Sequence, residues 1–156
     1  MLGRLIGLVR KATVLGLLAW LAYTPAWSQT AKPDLTCSPG NLQQVQPEVA
    51  QEVRQFLEAL QSALKSNDKD AASQLFNYPF AVHMKNGRFN VRTPEDFVKK
   101  YDRIFPKELV NVISSQKVEC INQVGSKGFM LDRGEIWFDR FPNGKMQAFS
   151  VNLIFY

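Results

Sequence analysis

The sequence predicts an α+β fold in which helices come first and antiparallel strands come last. Three observations predict it. Apolar residues recur at three- and four-residue spacing over residues 47–66, as they do on one face of a helix. Over residues 118–155 they fall instead into short runs separated by turn residues, which is typical of strands. Two Asn-Gly dipeptides, at residues 86–87 and 143–144, supply the short turns that hairpins favour.

The first 28 residues have the three regions of a secretory signal peptide. Three basic residues precede an apolar run over residues 12–22, and Ala26 and Ser28 supply the small side chains of a cleavage site. The run is shorter than the roughly 20 apolar residues that cross a bilayer. We therefore predict a signal peptide over residues 1–28, cleavage before Gln29, a periplasmic or secreted mature chain and no stable membrane span after cleavage. An uncleaved signal anchor is the alternative.

The net charge of +5 belongs largely to this leader, which carries three of the 19 basic residues and none of the 14 acidic ones. The mature chain then has 16 basic and 14 acidic side chains. Its basic residues alternate with acidic ones, as over residues 132–135 and 139–140, whereas a nucleic-acid-binding surface needs a basic stripe. Nucleic acid is therefore not an expected partner.

Cys37 and Cys120 are the only cysteines, and an even count in an exported protein predicts a disulfide between them. The bridge closes a loop of about 83 residues and contributes roughly 4 kcal/mol at most in the chain-entropy model. Two separately buried thiols are the alternative. No metal is expected, because zinc sites need several ligands and His83 is the only histidine. Phosphate-binding, serine-hydrolase and paired-cysteine motifs are missing from the sequence, so we expect no cofactor.

Residues 29–46 are rich in proline and polar residues and predict an extended arm before a domain at residues 47–156. Pro47 is placed to open a helix that runs through Ser66. A second, short helix is expected from residue 68 or 69 to about Phe76.

A third helix is predicted after Thr93, which is a good capping residue, with Pro94 at the first helical position. Pro106 ends this helix. Residues 107–116 fit either a further helix or a strand, because the spacing of their apolar residues suits both.

Two hairpins are predicted around the Asn-Gly dipeptides. With residues 86–87 as the turn, Met84 pairs with Phe89, and one face of this hairpin is apolar. A turn over residues 142–145 sets the register of the second hairpin. Its predicted pairs are Glu135 with Asn152, Ile136 with Val151, Trp137 with Ser150, and Phe138 with Phe149. The candidate strands of the last part of the chain are residues 118–124, 128–131, 135–141 and 146–155.

The element order α-α-β-β-α-β-β-β resembles that of the nuclear transport factor 2-like superfamily, which includes ketosteroid isomerase-like and SnoaL-like proteins. The run KGFMLDRGEIWF, at residues 127–138, is similar to a stretch in exported bacterial members of uncertain function. The resemblance spans about residues 47–156. It implies a cone-shaped roll, as in cystatin and NTF2-like folds, in which a curved antiparallel sheet wraps around the N-terminal helices. It also implies a pocket inside the cone and a homodimer formed through the sheet.

An apolar pocket on the concave side of the sheet would bind a small apolar ligand. Its candidate lining residues by this resemblance are Phe80, Val82, Phe97, Tyr101, Met130, Phe138, Phe149 and Val151. A plain hydrophobic core would show the same stripe of residues, and this alternative stays open.

His83 is the candidate for acid/base chemistry, because imidazole alone among side chains has an ordinary pKa near neutrality. Asp102 or Glu135 would orient it in a cofactor-free isomerase, dehydratase or cyclase. Strand alternation, however, places His83 beside Lys85 on the polar face of its hairpin.

A second group of residues shares one face of the second hairpin and mixes an aromatic ring with polar groups, which suits a binding surface or a dimer interface. These residues are Glu135, Trp137, Ser150 and Asn152. A half-exposed sheet face of no special function is the alternative. The sequence as a whole predicts an exported, non-catalytic module that binds a small apolar ligand or a protein partner, with the His83 enzyme as the other possibility.

Overall fold

A computed structural model of the chain describes residues 40–156, and the predicted leader and Cys37 lie outside this range. Within it, four helices accompany one six-stranded sheet, which confirms the α+β class. The helices are α1 (Pro47–Lys65), α2 (Lys69–Ser73), α3 (Pro94–Ile104) and α4 (Lys107–Ser115). The strands are β1 (Phe76–Met84), β2 (Gly87–Val91), β3 (Asn122–Gln123), β4 (Phe129–Leu131), β5 (Ile136–Arg140) and β6 (Met146–Leu153).

Local sequence explains where the helices begin. Pro47 occupies the first turn of α1 as predicted, and the Thr93 hydroxyl accepts a hydrogen bond from the Asp96 amide (3.2 Å) at the start of α3. Helix α2 ends at Ser73 and not at Phe76, because Phe76 already pairs with Ala148 in the sheet.

Residues 107–116, which the sequence left between helix and strand, form helix α4. Leu109 and Ile113 are its buried residues. The Gln61 side chain of α1 donates hydrogen bonds to the carbonyls of Ile113 (2.9 Å) and Gln116 (2.8 Å). Helix α1 thus supplies extra donors to carbonyl groups at the end of α4, where the helix runs out of its own amide partners.

The sheet has the strand order β2-β1-β6-β5-β4-β3 and is mixed, not antiparallel as predicted. Strand β6 runs parallel to β1, whereas the other neighbours are antiparallel. The long connection between these two strands permits this arrangement, because parallel neighbours need a crossover instead of a tight turn.

Both predicted hairpins form, with corrections to their registers. In the first, Met84 pairs with Gly87 and not with Phe89, so the turn lies one residue earlier, at residues 85–86. Gly87 has a φ of 129°, which few residues with a side chain adopt, and it starts the returning strand. The shift moves the pairing by two residues and therefore leaves the same side chains on each face.

In the second hairpin, Ile136 pairs with Val151 and Trp137 with Ser150, as predicted. The register then shifts, and Phe138 pairs with Ala148 instead of Phe149. The extra residue on β6 is a β-bulge, which the alternation of apolar and polar residues does not reveal.

The predicted strand over residues 118–124 is wrong for most of its length. Residues 118–120 form a 3₁₀ turn, and only β3 remains as strand. The described end of the predicted arm explains this. The Gly40 amide donates to the Glu119 carbonyl (2.7 Å), and a 3₁₀ turn at Leu42–Gln44 follows with Leu42 buried. This part of the arm packs on the domain and is not extended.

The sheet has an inner face, which the helices cover, and an outer face. Inner-face residues of the four central strands include Val82, Val151, Ile136, Leu131, Phe76, Ala148, Phe138 and Phe129, all buried. The Phe56 ring of α1 stacks on the Phe138 ring at 4.3 Å between centroids. Paired outer-face residues form a half-buried row of Ala81, Ser150, Trp137, Met130 and Asn122.

Candidate functional site

Six of the eight residues predicted to line a concave pocket lie in the buried core. They are Phe80, Val82, Phe97, Tyr101, Phe138 and Val151, each at most 4% exposed. Their rings contact one another and their neighbours. The Phe97 centroid lies 5.9 Å from that of Tyr101, 6.3 Å from that of Phe80 and 5.1 Å from that of Phe76. Aromatic side chains thus occupy the space between the inner face and α3.

The other two predicted pocket residues, Met130 and Phe149, lie on the outer face. Met130 pairs with Trp137, and in β4 it is Phe129 and Leu131 that are buried. Regular alternation along β6 would point Phe149 toward the inner face. Phe149 is instead the extra residue of the β6 bulge, so its side chain lies on the outer face. Both corrections follow from strand geometry, because neighbouring residues of a strand face opposite sides.

A shallow depression on the outer face brings together three of the four residues in the predicted binding group. We call it the Trp137 groove, with a volume of about 470 Å³ and a lining formed by Lys127, Trp137, Phe149, Ser150 and Asn152. Trp137, Ser150 and Asn152 were predicted to share this face. Lys127 and Phe149 were not predicted here, because the first lies in an irregular turn and the second depends on the bulge.

Two glycines allow the walls of the Trp137 groove to form. A Cβ atom on Gly128, which has a φ of 90°, would lie 2.6 Å from the Phe138 carbonyl oxygen. The turn that carries Lys127 can therefore rest directly against β5. A Cβ atom on Gly134 would lie 3.0 Å from the Trp137 indole nitrogen. The Gly134 carbonyl also accepts a hydrogen bond from the Asn152 side chain.

Glu135, the fourth predicted member of this group, does not line the groove. It is fully buried, and its carboxylate accepts hydrogen bonds from the Arg133 amide (2.8 Å) and the Arg133 Nε atom (3.1 Å). The Arg133 guanidinium also lies over the Phe155 ring, 4.5 Å from its centroid. Glu135 thus neutralises the Arg133 guanidinium and fixes the turn before β5.

The candidates for acid/base chemistry lie apart. His83 pairs with Asn152 across β1 and β6, and within residues 40–156 it has no hydrogen bond or ion pair with a carboxylate. Asp102 is highly exposed on α3 and forms an ion pair with Lys69 at 3.3 Å. Glu135 is held by Arg133. Among residues 40–156 the arrangement provides no His–carboxylate pair.

The tyrosine hydroxyl groups of the core are held in their neutral form. Burial raises the pKa of Tyr101, and the negative charges of Asp102 and Asp68 raise it further. Burial also raises the pKa of Tyr78, whose hydroxyl donates to the Ser73 carbonyl at 2.8 Å. Such phenols donate hydrogen bonds and do not act as bases at neutral pH.

The C-terminal end of strand β2, which forms one edge of the sheet, is covered by side chains of α3. Lys100 donates to the Asn90 carbonyl (2.9 Å), and Asp96 accepts from the Arg92 amide (3.0 Å). Lys100 and Asp96 also form an ion pair at 2.8 Å. These contacts occupy backbone groups that an added strand would need.

Strand β3, the other edge, is covered by the segment before α1. The Asn41 side chain accepts from the Gln123 amide (2.6 Å) and donates to the Gln123 carbonyl (2.9 Å). One amide group thus takes up both backbone groups of an edge residue, as a neighbouring strand would.

Comparisons with known proteins assign no function to this arrangement. The chain matches no family model, no curated protein and no solved structure. In the described part of the chain, His, Cys, Asp and Glu side chains form no group of three suited to a metal ion. No helix in that part has the length and hydropathy needed to span a membrane.

Proposed function

We propose that this chain is an exported, non-catalytic binding module that holds a small apolar ligand in the Trp137 groove. The observation that carries the proposal is the lining of the groove, in which the Trp137 and Phe149 rings lie beside polar groups of Ser150 and Asn152. Aromatic surface provides the affinity, and a few polar groups orient what binds.

Three other surfaces are less suited to binding, which supports the outer face. The inner face is filled by buried aromatic side chains. The β2 edge is covered by Asp96 and Lys100, and the β3 edge by Asn41. An incoming peptide strand would have to displace these contacts at either edge. A ligand that binds on the half-buried outer-face row around Trp137 does not have to displace these contacts.

Binding is better supported than acid/base chemistry. An acid/base site needs an ionisable group oriented by a partner within hydrogen-bond reach. His83 has no carboxylate partner within residues 40–156, while Asp102 and Glu135 are paired with Lys69 and Arg133.

The proposal includes the cone-shaped NTF2-like roll, a signal peptide over residues 1–28, a periplasmic or secreted location and a disulfide between Cys37 and Cys120. The order of elements supports the roll. The basic, apolar and small-residue regions of the leader support the signal peptide and the exported location. The even cysteine count and the burial of Cys120, at 3% exposed, support the disulfide.

N-phenyl-1-naphthylamine, an uncharged dye that brightens in apolar surroundings, tests the groove directly. We expect it to bind the full chain carrying Trp20→Phe and Trp27→Phe, which leaves Trp137 as the single indole. Binding should then transfer excitation energy from Trp137 to the dye. Because the depression is open and shallow, only part of the dye's apolar surface leaves water, so affinity in the high micromolar range or weaker is expected.

Phe149→Ala and Phe155→Ala form a matched pair for this test. Both remove a partly exposed ring, but only Phe149 lines the groove. Phe149→Ala should weaken dye binding about fivefold or more, and Phe155→Ala should leave it within about twofold. Equal effects, or no energy transfer from Trp137, would contradict the proposal. Sedimentation of the same samples reports whether a second copy covers the outer face, as in the homodimer that the resemblance implies.

A further inference from the structure

We propose that the ligand of the Trp137 groove is a small amphiphilic anion, with an apolar body on Trp137 and Phe149 and one anionic group at Lys127. This inference rests on the proposed function and names its ligand class. The Lys127 ammonium is the only charged group in the lining of the groove. An anionic group is the chemistry that complements it.

Lys127 is available for such a ligand. It is exposed, and within residues 40–156 it forms no ion pair, unlike Lys69 and Lys100, which are paired with Asp102 and Asp96. Asp139 of β5 approaches Gly128 and accepts a hydrogen bond from the Arg140 amide at 2.8 Å. Within residues 40–156 it forms no ion pair with Lys127, so the ammonium has no direct counter-charge in that range.

The polar groups on the floor of the groove favour an amphiphile over a hydrocarbon. Within the described residues the Ser150 hydroxyl has no hydrogen-bond partner. The Asn152 amide donates to Gly134, which leaves its oxygen free to accept. A purely apolar ligand would bury these groups without partners, and that loss would weaken binding.

The size and shape of the groove favour a free small molecule. Its volume of about 470 Å³ lies within the range of ordinary small-molecule sites. The depression is open and shallow, so the charged end of a ligand stays hydrated beside Lys127. The ion pair is therefore weak and should be sensitive to salt.

A matched pair of dyes tests the anion preference. 8-Anilinonaphthalene-1-sulfonate has the ring system of N-phenyl-1-naphthylamine with one added sulfonate. We expect the sulfonate to bind the full chain carrying Trp20→Phe and Trp27→Phe about threefold to fivefold more tightly than the uncharged dye, measured by energy transfer from Trp137. Lys127→Gln should abolish this difference, and so should high salt. Lys145→Gln, an exposed lysine outside the groove, should preserve it.

Equal binding of the two dyes to the unaltered groove would overturn the anion preference and leave the proposed function intact. A preference that survives Lys127→Gln would overturn it as well. Absence of energy transfer with both dyes would defeat the proposed function itself. Vesicles of phosphatidylglycerol supply the same charge on a membrane surface. Capture of the chain by these vesicles, without binding of either free dye, would overturn the assignment to a free ligand.

Discussion

Glu135 is the one charged side chain that the fold buries completely within residues 40–156, and Arg133 neutralises it. Both oxygens of its carboxylate accept from Arg133, one from the amide and one from the guanidinium. A buried carboxylate without such partners pays the full cost of its lost hydration.

Arg133→Ala should therefore lower the free energy of unfolding by about 2 kcal/mol, because it leaves the Glu135 carboxylate with one hydrogen bond fewer and no counter-charge. Urea denaturation measures this loss. Arg88→Ala, on an exposed arginine of β2, is the control and should change stability by no more than about 0.5 kcal/mol. In a Glu135→Gln background the cost of Arg133→Ala should shrink; an undiminished cost would assign the effect to the Phe155 contact instead.

At the scale of single residues, the sequence could predict the groove only in part. Alternation along β5 and β6 is enough to place Trp137, Ser150 and Asn152 on one face. Alternation does not predict the position of Phe149, because a one-residue bulge reverses the direction of its side chain. It does not predict the position of Glu135 either, since the turn at Gly134 lets the carboxylate reach back to Arg133.

Helix α3 covers the end of edge strand β2, which its amphipathic pattern alone does not predict. Its polar residues Asp96 and Lys100 bond to β2 and to the residue that follows it. The hydrogen bond from Lys100 lowers the pKa of Asp96, and the Arg92 amide lowers it further. Ionised Asp96 is thus part of the cover over this edge.

The stabilisation from Asp96 should be lost in acid. Its folded-state pKa lies below the ordinary value, so the contribution is present above that value and disappears as the pH falls through the lower, folded-state pKa. Carbon NMR of the Asp96 carboxyl group should show a midpoint below its ordinary value of 3.8. Lys100→Gln should raise this midpoint, and Lys99→Gln, on the exposed neighbour, should not; equal midpoints in all three proteins would refute the role of Lys100.

For single elements, strong local signals were sufficient to place α1, α3 and the existence of both hairpins, but not the helical state of residues 107–116 or the hairpin registers. Pro47 and Thr93 identify the starts of α1 and α3, because each acts within its own turn. The region before β3 gave no such signal. Its 3₁₀ turn accepts a hydrogen bond from the Gly40 amide, and β3 beyond it is bonded to Asn41; both partners lie about eighty residues away in the sequence.

For the molecule as a whole, the proposed export makes a prediction about covalent structure. The chain recovered from the periplasm should begin at Gln29 and contain a peptide in which Cys37 is linked to Cys120. Non-reducing peptide mapping by mass spectrometry reads both features at once. The disulfide should contribute up to roughly 4 kcal/mol of stability. Two alkylatable thiols would contradict the linkage, and an intact Met1 in a membrane fraction would contradict cleavage.

The overall class followed from the order of elements, but the mixed sheet did not. Strand β1 and strand β6 are far apart in the chain, as the pairing of Phe76 with Ala148 shows. Nothing local in either segment specifies a parallel neighbour. Burial of both strands' apolar faces under the helices selects that pairing, and it is visible only once the whole chain is assembled.

The central position of β6 also sets the point in synthesis at which the sheet can be completed. Residues 146–153 form the last of the described strands to be synthesised, yet they lie between the β1–β2 hairpin and the remaining strands. Until they emerge, β1 lacks its β6 partner and the six-stranded sheet cannot be completed. Such non-local pairing delays the completion of folding. For the export proposed above, this order keeps the sheet open while the chain is threaded through a translocation channel, because β6 is made after the other described strands.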